Sequence, residues 1–129
     1  MSTTPPHILI VEDEKTLSLA YQKILQQAGY VVYVAHNGQQ ALQLADAHLP
    51  DLILLDSHMP HKGGVRFLQD YKLKQKDAAT RVIVLSKYAK QSDIDTAYRL
   101  GVERYLVKGW LSPQKLLQLV TSTLAGPQA

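Results

Sequence analysis

Leu52–Pro60 reads LILLDSHMP, four consecutive apolar residues that end on a carboxylate. A run this short and unbroken suits a strand of a parallel sheet covered on both faces. Similar runs recur along the chain: Ile8–Val11 (ILIV), Tyr30–Val34 (YVVYV), Val82–Leu85 (VIVL) and Tyr105–Val107 (YLV). Between them the apolar period changes. Leu17, Ala20, Tyr21, Ile24, Leu25 and Ala28 share one helical face, which Gly29 closes. Ala41, Leu44, Ala45 and His48 follow Asn37 as a candidate N-cap, and Pro50 stops them. Weaker helical patterns cover Val65–Lys76, Ser92–Leu100 closed by Gly101, and Ser112–Leu124 with Pro113 at the first helical position. Strand and helix alternate five times. This predicts an α/β, (βα)5 fold: a doubly wound, five-stranded parallel sheet with right-handed crossovers and helices on both faces.

The length, 129 residues, fits one domain, and a chain of this size needs no disulfide or structural zinc to fold. Residues 1–6 read as a flexible N-terminus, 7–125 as the domain and 126–129 as a tail. With no cysteine, thiol catalysis, iron–sulfur clusters and a disulfide framework are excluded. No apolar run approaches a membrane span and the first residues lack a signal pattern, so a cytoplasmic protein is expected. Fourteen basic against eleven acidic residues give a formal +3, which raises the question of nucleic acid. The acids Glu12, Asp13, Glu14 and Asp56 gather at strand ends, whereas Lys72, Lys74, Lys76, Arg81, Lys87 and Lys90 are scattered. That pattern is an acidic pocket in a mildly basic surface. It argues against DNA binding and for an acidic protein partner.

In an open parallel sheet, ligands sit beyond the carboxyl ends of the strands, where the winding reverses. The five runs are followed by Glu12-Asp13, by no candidate group after the second, and by Asp56, Ser86 and Lys108. Neighbouring strands lie about 4.8 Å apart, so Glu12, Asp13 and Asp56 would crowd three negative charges into one place. Oxygen-only ligands of this kind suit Mg²⁺. Three carboxylates, one Mg²⁺ and the Lys108 ammonium sum to zero, and such a site can accept a phosphoryl group on Asp56. The turn Glu12-Asp13-Glu14-Lys15 is acidic and lacks glycine, so it cannot cradle a nucleotide phosphate.

Glu12-Asp13, Leu55-Asp56-Ser57-His58-Met59-Pro60 with Gly63 following, Ser86, Tyr105 and Lys108 together resemble the receiver domain of two-component response regulators, over about residues 7 to 125. The resemblance implies a flavodoxin-like sheet of order 2-1-3-4-5. It implies that Asp56 is phosphorylated from a phosphohistidine of a sensor histidine kinase or a histidine phosphotransfer protein. Mg²⁺ would be bound by Asp13, Asp56 and the backbone carbonyl of His58, with Glu12 acting through water. Lys108 would contact the phosphoryl group, Ser86 would move toward it, and Tyr105 would swing inward. That swing would alter the face formed by the fourth helix, fifth strand and fifth helix. Only Gly126–Ala129 follow the last helix, so a stand-alone receiver is expected, acting on a downstream protein that the sequence does not identify. A homodimer through the same face stays open. Beyond self-phosphorylation from phosphohistidine and slow self-dephosphorylation no enzymatic activity is expected; a phosphatase of related chemistry would carry a second aspartate where this chain has His58.

Four positions set this chain apart from the family pattern. Gly109 replaces a proline that usually follows a cis bond, and since cis before a non-proline costs about 2.5–4 kcal/mol, a trans bond is expected. Lys87 replaces a small residue after the switch hydroxyl and is expected to project into solvent. His58 and Tyr88 occupy places where the family tunes dephosphorylation. Lys87 and Gly109 motivate the alternative reading, a phosphorylation-independent interaction module of the same fold. His58 and His61 do not read as a metal pair; His7, His36 and His48 read as structural or exposed, and Trp110 as a packing residue.

Overall fold

The structure, a computed structural model, describes residues 4–57, 64–74 and 79–125. Five strands alternate with five helices among them: β1 His7–Val11, α1 Lys15–Gln27, β2 Val31–Ala35, α2 Gly38–His48, β3 Leu52–Asp56, α3 Gly64–Lys74, β4 Arg81–Ser86, α4 Gln91–Arg99, β5 Arg104–Val107 and α5 Pro113–Ala125. All strand pairs are parallel and the sheet order is β2-β1-β3-β4-β5, as expected.

The unbroken apolar runs follow from the two-sided burial. In β1, β3 and β4 the side chains alternate between two cores. Ile8, Ile10, Leu52, Leu54, Ile83 and Leu85 pack on Tyr21 and Leu25 of α1 and Leu116 and Val120 of α5. Leu9, Val11, Ile53, Leu55, Val82 and Val84 pack on α2, α3 and α4 through Ala41, Ala45, Phe67, Leu68, Tyr71 and Ala97. Each fully buried aliphatic side chain contributes on the order of 1.5–3 kcal/mol, so these three strands anchor the fold. β2 and β5 lie at the sheet edges and are only half covered.

Local signals set the helix ends. Asn37 Oδ1 accepts the Gln40 N–H at 2.8 Å, and Ser112 Oγ accepts the Lys115 N–H at 3.1 Å. Gly29 and Gly101 take φ of 99° and 93° just past α1 and α4, a backbone that side-chain-bearing residues avoid. The end of α2 differs from expectation. Leu49, before Pro50, itself takes the left-handed φ of 45°. Helix α4 starts one residue earlier than its apolar pattern suggests, and residues 75 and 76, expected at the end of α3, lie outside the described residues.

Candidate functional site

The strand register brings the singled-out residues to one rim. Val11 pairs with Leu55, so Glu12 emerges beside Asp56; Asp56 pairs with Leu85, and Ser86 pairs with Val107, just before Lys108. Lys108 opens a 3-10 turn, Lys108–Trp110, that the sequence pattern did not announce. No cis peptide occurs among the described residues, so Lys108–Gly109 is trans, as expected. The lysine still reaches the pocket: its Nζ lies 2.6 Å from Glu12 Oε1 and 3.1 Å from Asp56 Oδ2.

Glu12 and Asp56 are 1% and 3% exposed, while Asp13 faces solvent. Carboxylate oxygens of all three lie within 4.8 Å of one another. Three carboxylates, two of them shielded from solvent, against one ammonium leave an excess of two negative charges at the rim. The electrostatics register the excess: burial, reinforced by neighbouring Asp56 against the opposing pull of Lys108, pushes the Glu12 carboxyl up to about 7. Burial pulls Lys108 the other way, but Glu12 and Asp56 outweigh it and hold its ammonium above the ordinary lysine range. A divalent cation on these oxygens would cancel the excess. The donors are oxygens only and Asp13 leaves one side open to water, so the residues present fit Mg²⁺.

The surroundings hold this cluster in place. Glu12 Oε2 accepts the Glu14 N–H at 3.2 Å, and His36 Nδ1 donates to the Glu12 carbonyl at 3.1 Å, since a carbonyl can only accept. Ser86 is fully buried, and its Oγ accepts the Tyr88 N–H at 3.2 Å. Tyr105 is half-buried; its hydroxyl donates to the Tyr88 carbonyl at 3.1 Å, and its N–H donates to the Tyr98 hydroxyl at 3.2 Å. The peptide groups of Tyr88 thus join Ser86 to Tyr105. Gly64 packs against the end of β3, where a Cβ would stand 2.6 Å from the Asp56 carbonyl oxygen. A methyl group cannot fit there.

Lys87 is exposed, as expected. His7 and His36 carry structural hydrogen bonds, His7 with Tyr33 at 3.1 Å, and exposed His48 stacks on Tyr33 with centroids 4.0 Å apart. Trp110 corrects the expectation of packing: it is 79% exposed. The direct Lys108–Glu12 pair, the His36 brace and the close approach of Gly64 were not read from the sequence; the second glycine of Gly63-Gly64 was the available signal for the last. His58, Met59, Pro60, His61 and Gly63 lie outside the described residues. No helix among the described residues is long and apolar enough to cross a membrane.

Comparison with known proteins gives concordant results. A family model described as "Response regulator receiver domain" matches residues 8–121. The Escherichia coli nitrate/nitrite response regulator protein NarL is 34% identical over 124 residues, which cover 95% of this chain and 56% of that protein. The chain therefore spans little more than half of that relative. The Bacillus subtilis chemotaxis protein CheY is 34% identical over 118 residues, 91% of this chain and 96% of that one. Among solved structures, the Borrelia burgdorferi CheX-CheY-BeF3-Mg+2 complex superposes with a TM-score of 0.84 at 26% identity, covering 95% of this chain and 91% of that one.

Proposed function

The chain belongs to the response regulator receiver family of two-component signalling, and on that premise we propose that Asp56 accepts a phosphoryl group from a phosphohistidine and that the modification switches a partner-binding face. One observation carries the reading. A buried carboxylate stands 3.1 Å from a lysine ammonium in a cluster with two further carboxylates. That set is costly for stability and suited to phosphoryl chemistry.

In the proposed step an Asp56 carboxylate oxygen attacks phosphorus. The P–O bond forms as the P–N bond breaks, and its electron pair returns to the imidazole nitrogen of the donor, a sensor histidine kinase or histidine phosphotransfer protein. Lys108, already beside Asp56, supplies positive charge to the incoming phosphoryl oxygens. Mg²⁺ would be held by Asp13 and Asp56, by Glu12 through water and by the backbone carbonyl of His58, and when bound would supply further neutralisation of those oxygens.

Ser86 then exchanges the Tyr88 N–H for a phosphoryl oxygen. Tyr88 loses one of its anchors, and its carbonyl is the acceptor of the Tyr105 hydroxyl, so Tyr105 is released. The face made by α4, β5 and α5 changes for a downstream protein. Water slowly hydrolyses the aspartyl phosphate, and no other catalysis is proposed. The protein acts in the cytoplasm, without binding DNA. The phosphorylation-independent reading draws little support, because Lys87 points to solvent and Lys108 reaches Asp56 despite Gly109.

Incubation with acetyl phosphate and Mg²⁺, followed by rapid intact-mass measurement, tests the reading. It expects a gain of one phosphoryl group that vanishes in Asp56→Ala. An unchanged mass, or a gain that survives the substitution, contradicts it.

A further inference from the structure

Behind the phosphorylation rim, on the α3–α4 side of the sheet, lies a recess of about 480 Å³ measured out to bulk solvent. Its walls are apolar, formed chiefly by Leu55, Leu68, Val84 and Ala97. Two polar groups in the lining lack side-chain partners among the described residues. Ser57 Oγ is shut off from solvent and makes no hydrogen bond among them. Asp93, in the first turn of α4, has no side-chain hydrogen bond or ion pair among the described residues, whereas Asp95 two positions on accepts from Gln91 Nε2 at 2.8 Å.

An apolar concavity with a few convergent polar groups has the character of a small-molecule site, and unpaired polar groups in it are stabilised by whatever ligand supplies their partners. The single carboxylate decides the ligand's charge. The acidic cluster found among the described residues is Glu12, Asp13 and Asp56 at the rim, so Asp93 offers one negative charge and no chelating set. One carboxylate beside apolar walls matches a monovalent organic cation rather than a divalent metal ion.

We propose that this recess binds a small amphipathic primary amine, with the ammonium on the Asp93 carboxylate and the apolar body against Leu55, Leu68, Val84 and Ala97. An aliphatic or aromatic body of modest size fills the space. An anion of the same shape is repelled, and a neutral analogue forfeits the ion pair. Tyr105 borders the same recess, so an occupant blocks inward movement of its ring and holds the unphosphorylated form. That consequence, unlike the binding itself, rests on the switching proposed above.

The test is a two-dimensional NMR titration of the full chain with 2-phenylethylamine, 2-phenylethanol and phenylacetate, in the absence of Mg²⁺. Saturable shifts confined to amides around Leu68, Val84, Ala97 and Asp93 are expected, with the amine about tenfold tighter than the alcohol. Asp93→Asn should erase that advantage, and Ala97→Leu, which fills the recess, should weaken both ligands. Non-saturating or scattered shifts, equal affinity for amine and phenylacetate, or a preference that survives in Asp93→Asn would overturn the site. Beryllofluoride with Mg²⁺ should then weaken amine binding. Unchanged binding in a sample whose Ser86 and Tyr105 signals respond to beryllofluoride overturns the blocking of Tyr105, and unresponsive signals point instead to failure of the phosphorylation reading.

Discussion

The two ends of the sheet handle buried polar groups in opposite ways. At the amino ends of the strands the Tyr71 hydroxyl donates to Thr80 Oγ1 at 3.0 Å, and Thr80 donates in turn to the Pro50 carbonyl at 2.6 Å. Nearby the Arg81 guanidinium donates to the Thr123 carbonyl, and Asp51 accepts the His7 N–H at 2.7 Å. These groups complete one another within the chain, the buried Thr123 hydroxyl, which has no partner among the described residues, being the exception. At the carboxyl ends Glu12, Asp13, Asp56 and Lys108 leave an excess of negative charge, and Glu12 is driven toward protonation by its burial. One end is finished by folding. The other keeps a charge excess that folding alone does not balance, and the contrast separates groups that complete one another from groups that the proposed function would use.

Substitutions at the two ends should therefore behave differently. The largest effect is expected at the chemical end: Lys108→Ala should slow phosphorylation of Asp56 by acetyl phosphate about 100-fold, a loss of roughly 2.7 kcal/mol of transition-state stabilisation, as read by mass against time. At the finished end, Thr80→Val leaves the Tyr71 hydroxyl and the Pro50 carbonyl unpaired. Urea unfolding should report a loss of about 2 kcal/mol, with the phosphorylation rate unchanged. A variant that lowered both quantities would dissolve the contrast.

The pH dependence sharpens it. Folding raises the Glu12 carboxyl from 4.5 to about 7, so between those values the folded form holds a proton that the unfolded chain has released. This group's contribution is present at low pH and is lost as pH rises through that window. In Mg²⁺-free buffer the wild type should lose on the order of 1 kcal/mol relative to Glu12→Gln between pH 4.5 and 7. Parallel curves for the two proteins would contradict the charge excess. The smallest effect is expected from Tyr21→Phe. The Tyr21 hydroxyl is buried with no partner among the described residues, and burial with nearby Glu12, Glu14 and Asp56 pushes its pKa up to about 12. Removing it should stabilise the protein by about 0.5–1 kcal/mol in the same urea assay.

The contrast also explains what could be read from the sequence. Burial on both faces turns β1, β3 and β4 into unbroken apolar runs, so the sheet and its polar terminators were legible residue by residue. Asp56 and Ser86 end β3 and β4, and Glu12 and Lys108 directly follow β1 and β5. Less legible were features that depend on contacts between distant parts of the chain. Lys108 reaches across β4 and β3 to Glu12, ninety-six positions away, and no local pattern encodes that reach. Gly64 must lack a side chain because the end of β3 passes beneath it, a constraint visible only once α3 is docked. Trp110 looked like a core residue by type, yet the 3-10 turn after β5 carries it outward into solvent.

Thermal unfolding with Mg²⁺ and beryllofluoride tests the central claim most directly, since these ions together supply the cation and the phosphoryl-like anion that the proposed function assigns to the carboxyl rim. The account predicts that the pair raises the midpoint by several degrees in the wild type and equally in Thr80→Val. In Asp56→Ala the increase should be absent. No increase in the wild type, or an equal increase in Asp56→Ala, would contradict it.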